Sequence, residues 1–283
     1  MIRIKVPATS ANLGPGFDVL GLALSLYNVF TFTEKDGAMG YDTLVHVAYH
    51  KVFEHLGRKL IPVEIEIEAE IPMARGLGSS SACIVGGVMG ANEMLGSPLS
   101  TQELLALATE LEGHPDNVTP ALYGGLMASL TKEGRVHSLN IPVKNSYRFI
   151  ALIPDFTLST EKARAVLPEE LSYEDSVHNV SRTTFLLTAL LTGQDDLLSL
   201  GMEDRMHQPY RGKLIPGFER IGKALLDSDA LGFYLSGAGP TIMGLAREDD
   251  QEVIEKIRAF MTDEFPSWQV LVLRLEEKGA MRI

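Results

Sequence analysis

The sequence predicts an α+β protein built as two consecutive units, and three observations carry that prediction. Residues 61–71, IPVEIEIEAEI, alternate without a break, Val63, Ile65, Ile67, Ala69 and Ile71 against Glu64, Glu66, Glu68 and Glu70. That is the period of a strand with one buried and one wet face. Ser100 and Glu103 stand in capping-box spacing ahead of Leu104, Leu107, Ala108 and Leu111, which share one helical face up to Gly113. Further on, strand-like runs at 148–154, 230–237, 241–246 and 268–275 are separated by helical patterns at about 175–192, 214–228 and 249–262.

Taken in order, IRIKV reads as the first strand and leads into PATSANLGPGFDVLGLAL at 7–24, where Asn12 and Asp18 flank Gly14, Pro15 and Gly16. Alone this pattern is an Asx turn. The alternating strand is followed by PMARGLGSSSA at 72–82, read as a Gly/Ser loop, and by CIVGGVMGANEML, read as a buried helix. The capped helix then delivers Glu110, Glu112 and His114-Pro-Asp-Asn117 to one place. SGAGPT at 236–241 joins two strand-like runs and by itself reads as a hairpin. The joint between the units is placed near Lys144 to Tyr147, dividing 1–146 from 147–283.

Composition narrows the function classes. At 283 residues and 30.9 kDa, with 45% apolar and 22% charged residues, the chain has the make-up of a globular protein with room for one large or two ordinary cores. Lysine plus arginine number 25 against 37 acidic residues, a net charge of −12, which argues against a broad electrostatic grip on nucleic acid or anionic lipid. An anionic substrate therefore needs a local cationic pocket. The single cysteine, Cys83, excludes an intrachain disulfide framework and a structural zinc site, so a reducing cytoplasm is expected. No apolar run approaches the roughly 18 residues of a membrane span, and the opening residues lack an export-signal pattern.

The segment 72–82 carries the most chemistry. Two glycines and three serines ahead of a helix expose backbone N–H groups and aim the positive end of the helix dipole outward, which suits phosphate. It lacks the lysine of the common nucleotide loop, and Ser81 stands where a dinucleotide fingerprint has its third glycine.

With three such loops and EGHPDN in one chain, the sequence resembles the GHMP kinase superfamily, through PATSANLGPGFDVLG, PMARGLGSSSA and SGAGPT. Within it the chain is similar to the homoserine kinase family, through SANLGPGFDVLGLAL, ELEGHPDNVTPALYGG at 110–125, STEKARAVLP at 159–168 and HQPYRGKLIPG at 207–217. The resemblance implies a two-domain GHMP kinase fold, with an N-terminal domain like domain 2 of ribosomal protein S5 and a ferredoxin-like C-terminal domain. It also implies ATP as co-substrate, Mg²⁺, L-homoserine as acceptor, a step toward threonine, and a homodimer.

Phosphoryl transfer needs a phosphate cradle, a divalent ion and a positioned hydroxyl. By the resemblance, Pro72, Met73, Ala74, Arg75, Gly76, Leu77, Gly78, Ser79, Ser80, Ser81 and Ala82 wrap the triphosphate, and Ser79 with Glu110 holds Mg²⁺. Glu112, two positions along and on another side of the helix, is the competing carboxylate. Arg164 and Arg211 suit a carboxylate by their bidentate fork, while Asp18 and Asn12 suit the ammonium and hydroxyl ends. His114, Asn117 and Thr160 complete this pocket by the same likeness, with a capping role as the alternative for His114.

The resemblance makes Asn12, Asp18, Asn117 and Arg164 the catalytic candidates. Asn117 stands near the aspartate base of related sugar and mevalonate kinases, but an amide cannot take the hydroxyl proton. The expected step is direct attack of the hydroxyl on the γ-phosphorus, its proton passing to phosphate or water. Asp18 is the alternative base. One departure concerns the base pocket: Asp42-Thr43-Leu44-Val45 stands where the family has an Asn-Leu-Ile/Val run, leaving the Thr43 hydroxyl to meet the nucleobase. Two competing readings are a kinase for another small alcohol and a catalytically silent metabolite sensor. Retention of Ser79, Glu110, Arg164 and Arg211 favours an enzyme.

Overall fold

Two antiparallel sheets organise the chain, and a computed structural model describes residues 1–283. The first half runs β1 (Ile2–Ala11), β2 (Leu20–Glu34), α1 (Leu44–His55), β3 (Val63–Ala69), α2 (Ser79–Met94), α3 (Thr101–Glu112), α4 (Pro115–Tyr123), β4 (Leu126–Lys132) and β5 (Arg135–Ile141). The second half begins with β6 (Tyr147–Ile153), α5 (Thr160–Ala165), α6 (Tyr173–Thr192), α7 (Leu198–Gly201), α8 (Gln208–Arg211) and α9 (Phe218–Asp227). It ends with β7 (Gly232–Leu235), β8 (Ile242–Arg247), α10 (Gln251–Glu264), β9 (Gln269–Arg274) and β10 (Met281–Arg282).

The first sheet has the order β10-β1-β2-β4-β5, with β3 also paired to β2. At 15 residues β2 is long enough to serve three neighbours: its start pairs with β4, its end with β3, and both stretches with β1. The register of β1 shifts between Pro7 and Ala8, where proline has no N–H to give the ladder. Helix α2 lies on this sheet through small residues; a Cβ at Gly90 would stand 2.3 Å from the Phe32 ring, so only glycine permits that approach. The second sheet has the order β7-β8-β6-β9, the 4-1-3-2 arrangement of a ferredoxin-like unit read from its other edge. Ile221 and Leu225 of α9, with Val253, Ile254 and Ile257 of α10, close a second core against Ile150, Leu152 and Ile242. The chain end then returns to the first sheet as β10. No helix is long and apolar enough to cross a membrane.

Several expectations change. The alternating strand spans Val63–Ala69, and its apolar face is covered only in part: Val63 is buried, whereas Ile67 is 41% exposed. Helix α2 begins at Ser79, so the three serines form its first turn rather than part of a loop. Periodicity was silent on β2 because its first five residues are all buried, which removes the alternation a one-sided strand shows. Helix α4 escaped notice because it is only nine residues long and carries Pro115 and Pro120.

Candidate active site

The three loops that read separately as an Asx turn, a Gly/Ser loop and a hairpin meet in one wall. Asn12, Leu13, Gly14 and Asp18 all take left-handed backbone, with φ of 75°, 50°, 84° and 56°. That folds the first loop back on itself. The buried Asn12 amide ties it down, donating to the Gly237 carbonyl at 2.8 Å and accepting the Asp18 N–H at 3.1 Å. The third loop does connect the β7–β8 hairpin, and it also grips the second loop. Ser236 donates to the Gly76 carbonyl at 2.5 Å, and the Thr241 N–H donates to the Arg75 carbonyl at 3.2 Å.

These loops frame a cavity of about 480 Å³. At its edge the backbone N–H groups of residues 76–81 make no hydrogen bond within the protein. Gly78, with φ 70°, caps α2 without any side-chain cap, so the helix dipole and its orphan donors are left for an anion. Met73, Ala74, Arg75, Gly76, Gly78, Ser79 and Ser80 line the cavity, as does Thr43, whose hydroxyl pairs with His46 Nδ1 at 2.8 Å. Four expected residues do not. Pro72 lines a neighbouring groove, Leu77 is buried in the core ahead of the helix, and Ser81 and Ala82 are buried because the helix starts earlier than expected and turns their side chains inward. Arg75 is spent structurally, its guanidinium donating to the Pro154 and Asp155 carbonyls at 2.9 and 2.7 Å. Leu44, from the run expected at the base pocket, lines the cavity, as do Ile67 and Cys83, to which the sequence assigned no site role; the half-covered face of β3 leaves Ile67 there.

The metal-ligand expectation for Glu110 is corrected. Its carboxylate pairs with Lys51 at 2.6 Å, is 61% exposed and does not line the cavity. Glu112 does, accepting hydroxyl hydrogens from Ser80 and Ser81 at 2.8 Å each. Two residues on a helix turn the side chain by about 200°, so only one of the pair can face the start of α2. Beside the Ser79 hydroxyl, Glu112 gives an all-oxygen donor set of the kind a hard divalent cation takes while keeping water and phosphate oxygens.

Against the first and third loops of this wall lies a charged end. Arg164, near the end of α5, forks onto Asp18 with bonds of 2.8 and 3.0 Å. Ser159 caps α5, so Thr160 and Arg164 fall one turn apart on its cavity side. Arg211 is buried, its Nε bonded to the Ala163 carbonyl at 3.0 Å and its Nη1 to the Gly237 carbonyl at 3.1 Å, which leaves Nη2 uncommitted. Burial first, and then the neighbouring Arg164 charge, lower its pKa to about 10, still charged near neutral pH. His114 precedes α4 and lines the cavity, its Nδ1 held by buried Asp116 at 2.6 Å. That hydrogen bond raises its pKa against the opposing effect of burial. Asn117 accepts the Thr9 hydroxyl hydrogen at 2.8 Å and its Nδ2 donates to Asp116 at 3.4 Å, which leaves one amide N–H for the cavity. Every amino-acid-end candidate, Asn12, Asp18, His114, Asn117, Thr160, Arg164 and Arg211, lines this one cavity.

An uncapped helix start sharing one cavity with an arginine pair, on two such sheets, agrees with the family found by comparison, the GHMP kinases: the N-terminal model matches residues 43–125 and the C-terminal model residues 186–263. The chain is 46% identical to a homoserine kinase of Clostridium beijerinckii over 99% of this chain and 98% of that protein. It is 44% identical to one of Clostridium botulinum over the same shares. Among solved structures, homoserine kinase from Cytophaga hutchinsonii superposes with a TM-score of 0.87 at 31% identity, covering 100% of this chain and 97% of the other. Mevalonate kinase of Methanococcus jannaschii shares the fold, with a TM-score of 0.75 at 14% identity over 96% and 98%. The chain belongs to the homoserine kinase family.

Proposed function

We propose that this chain transfers the γ-phosphoryl group of ATP to the side-chain hydroxyl of L-homoserine, giving O-phospho-L-homoserine on the way to threonine. The observation that carries this reading is that two arginines and Asp18 share one cavity with a run of unpaired N–H groups at a helix start. A zwitterion fits the charged end, its carboxylate taking the free donors of Arg211 and Arg164 and its ammonium the Asp18 carboxylate. The Asp18–Arg164 fork holds these charges in register before substrate arrives.

The N–H groups of residues 76–81 supply the donors a phosphate chain needs, in place of a lysine. Ser79 and Glu112 would hold Mg²⁺, whose chemistry is to neutralise charge on the transferring phosphate. Asn117, with its Oδ1 occupied by Thr9, offers a donor to the acceptor oxygen, and the hydroxyl proton passes to phosphate or water. Positioning and the helix dipole supply most of the acceleration. The half 1–146 would carry most of the nucleotide end, while the amino-acid end would draw Asn12, Asp18, His114 and Asn117 from it and Thr160, Arg164 and Arg211 from 147–283. We place the enzyme in the cytoplasm as a homodimer, which the exposed stripe of Tyr173, Val177, Val180 and Leu191 on α6 supports.

The test is homoserine-dependent ADP release, with and without Mg²⁺, on the wild type and on Arg211→Ala. Arg211→Ala should lose at least about a hundredfold in kcat/KM for homoserine, the worth of a buried charge-assisted fork. Equal turnover in the variant would overturn the proposed carboxylate clamp.

A further inference from the structure

Phe17 does not line the cavity, yet its ring touches the side chains that define the charged end. The ring centroid lies 4.9 Å from the Arg211 guanidinium carbon and 5.6 Å from that of Arg164. It also stacks on the His207 imidazole at 5.2 Å and an interplanar angle of 30°. His207 is fully buried and fixed: its Nε2 donates to the Gly14 carbonyl at 2.8 Å, and its backbone N–H donates to Asp204 at 2.9 Å. Asp204 in turn accepts from Asn179 at 2.7 Å and from the backbone N–H of Met206 and Gln208 at 2.9 and 2.6 Å. The ring is therefore held by a rigid polar support on one loop while it contacts cations from α5 and α8.

Two guanidiniums side by side repel. Arg211 is bonded to backbone carbonyls and Arg164 to Asp18, and none of these hydrogen bonds joins one arginine to the other. An aromatic face attracts both cations by its quadrupole, adding to the attraction of the Asp18 carboxylate, which forks onto Arg164 and also favours the Arg211 charge.

We propose that Phe17 is a positioning residue: its π face holds Arg164 and Arg211 at a spacing one carboxylate can bridge, and so sets the preference for an α-amino acid over a plain amino alcohol. This rests on the homoserine reading above. Without the ring, Arg164, already 38% exposed at its side chain, is free to swing outward with Asp18 and the carboxylate loses half its clamp.

The experiment compares wild type, Phe17→Leu and Phe17→Tyr in steady-state ADP release with L-homoserine and with 3-aminopropan-1-ol, the same acceptor without its carboxylate, alongside a thermal melt. Phe17→Leu should raise the homoserine KM about fivefold or more, the size of a partly desolvated cation–π contact. The loss should appear in KM rather than kcat, with the ATP KM and the kcat/KM for 3-aminopropan-1-ol moving far less. Phe17→Tyr, which keeps the π face, should restore the homoserine KM. An unchanged homoserine KM in Phe17→Leu, an equal loss with both acceptors, or a Phe17→Tyr as impaired as Phe17→Leu would overturn the proposal. Absence of homoserine-dependent ADP release in the wild type would instead overturn the functional reading on which it rests.

Discussion

Glu110 and Glu112 differ by two positions and face different partners, Lys51 and the α2 serines. If Glu112 holds the divalent ion, Glu112→Gln should cut kcat at least about tenfold and raise the Mg²⁺ concentration required, as loss of metal-site carboxylates does. Glu110→Gln should stay close to wild type, since an exposed ion pair contributes under about 1 kcal/mol. A Mg²⁺ titration of both variants decides between the two carboxylates. His207 gives a pH prediction. Burial lowers its pKa below the ordinary 6.5, so between those two values the unfolded chain binds more protons than the folded one. The His207 contribution to stability is full above pH 6.5 and is lost as pH drops through that window. Thermal melts from pH 7 to 5 should show a shallower acid loss for His207→Gln, which keeps a donor for the Gly14 carbonyl. An identical slope would remove His207 from the acid response.

At the scale of elements, the second loop works because its glycines have nowhere to put a side chain. A Cβ at Gly76, where φ is 77°, would lie 2.4 Å from the Ser236 carbonyl oxygen and 2.8 Å from that of Gly239. Gly76→Ala must therefore strain the backbone or push the third loop away, at a cost of roughly 1–3 kcal/mol. It should raise the ATP KM more than the homoserine KM, measurable in the same assay; equal effects on both would mean that the displacement spreads across the whole cavity. The capping box of α3 was legible from Ser100 and Glu103 alone, because it is a contact between near neighbours. The start of α2 was not, because three serines fit a loop and a first helical turn equally well until Gly78 fixes the turn.

The whole molecule closes through its chain end. Strand β10 pairs Met281 and Arg282 with Lys5 and Ile4, the Ile283 N–H donates to the Arg3 carbonyl, and the Ala280 N–H donates to the Ala121 carbonyl in the last turn of α4. Deleting residues 279–283 leaves β1 an open edge and unpairs these backbone groups, at about 1 kcal/mol each. Calorimetry should show Tm lower by roughly 5 °C or more, and an unchanged Tm would mean that β10 is only an ornament on the sheet.

The residues alone determined the capping box of α3, the period of β3 and the chemistry on offer: an anion-seeking serine segment, two arginines, and an amide near the place where related kinases have a base. Those features are local or compositional, so they survive without coordinates. Only the tertiary structure decided that Asn12, Gly76 and Ser236 lock three distant loops into one wall, that Glu112 rather than Glu110 faces it, and that Phe17 lies against both arginines. Side-chain direction and contacts between residues more than a hundred positions apart depend on how the sheets stack, and no spacing rule along a chain encodes that.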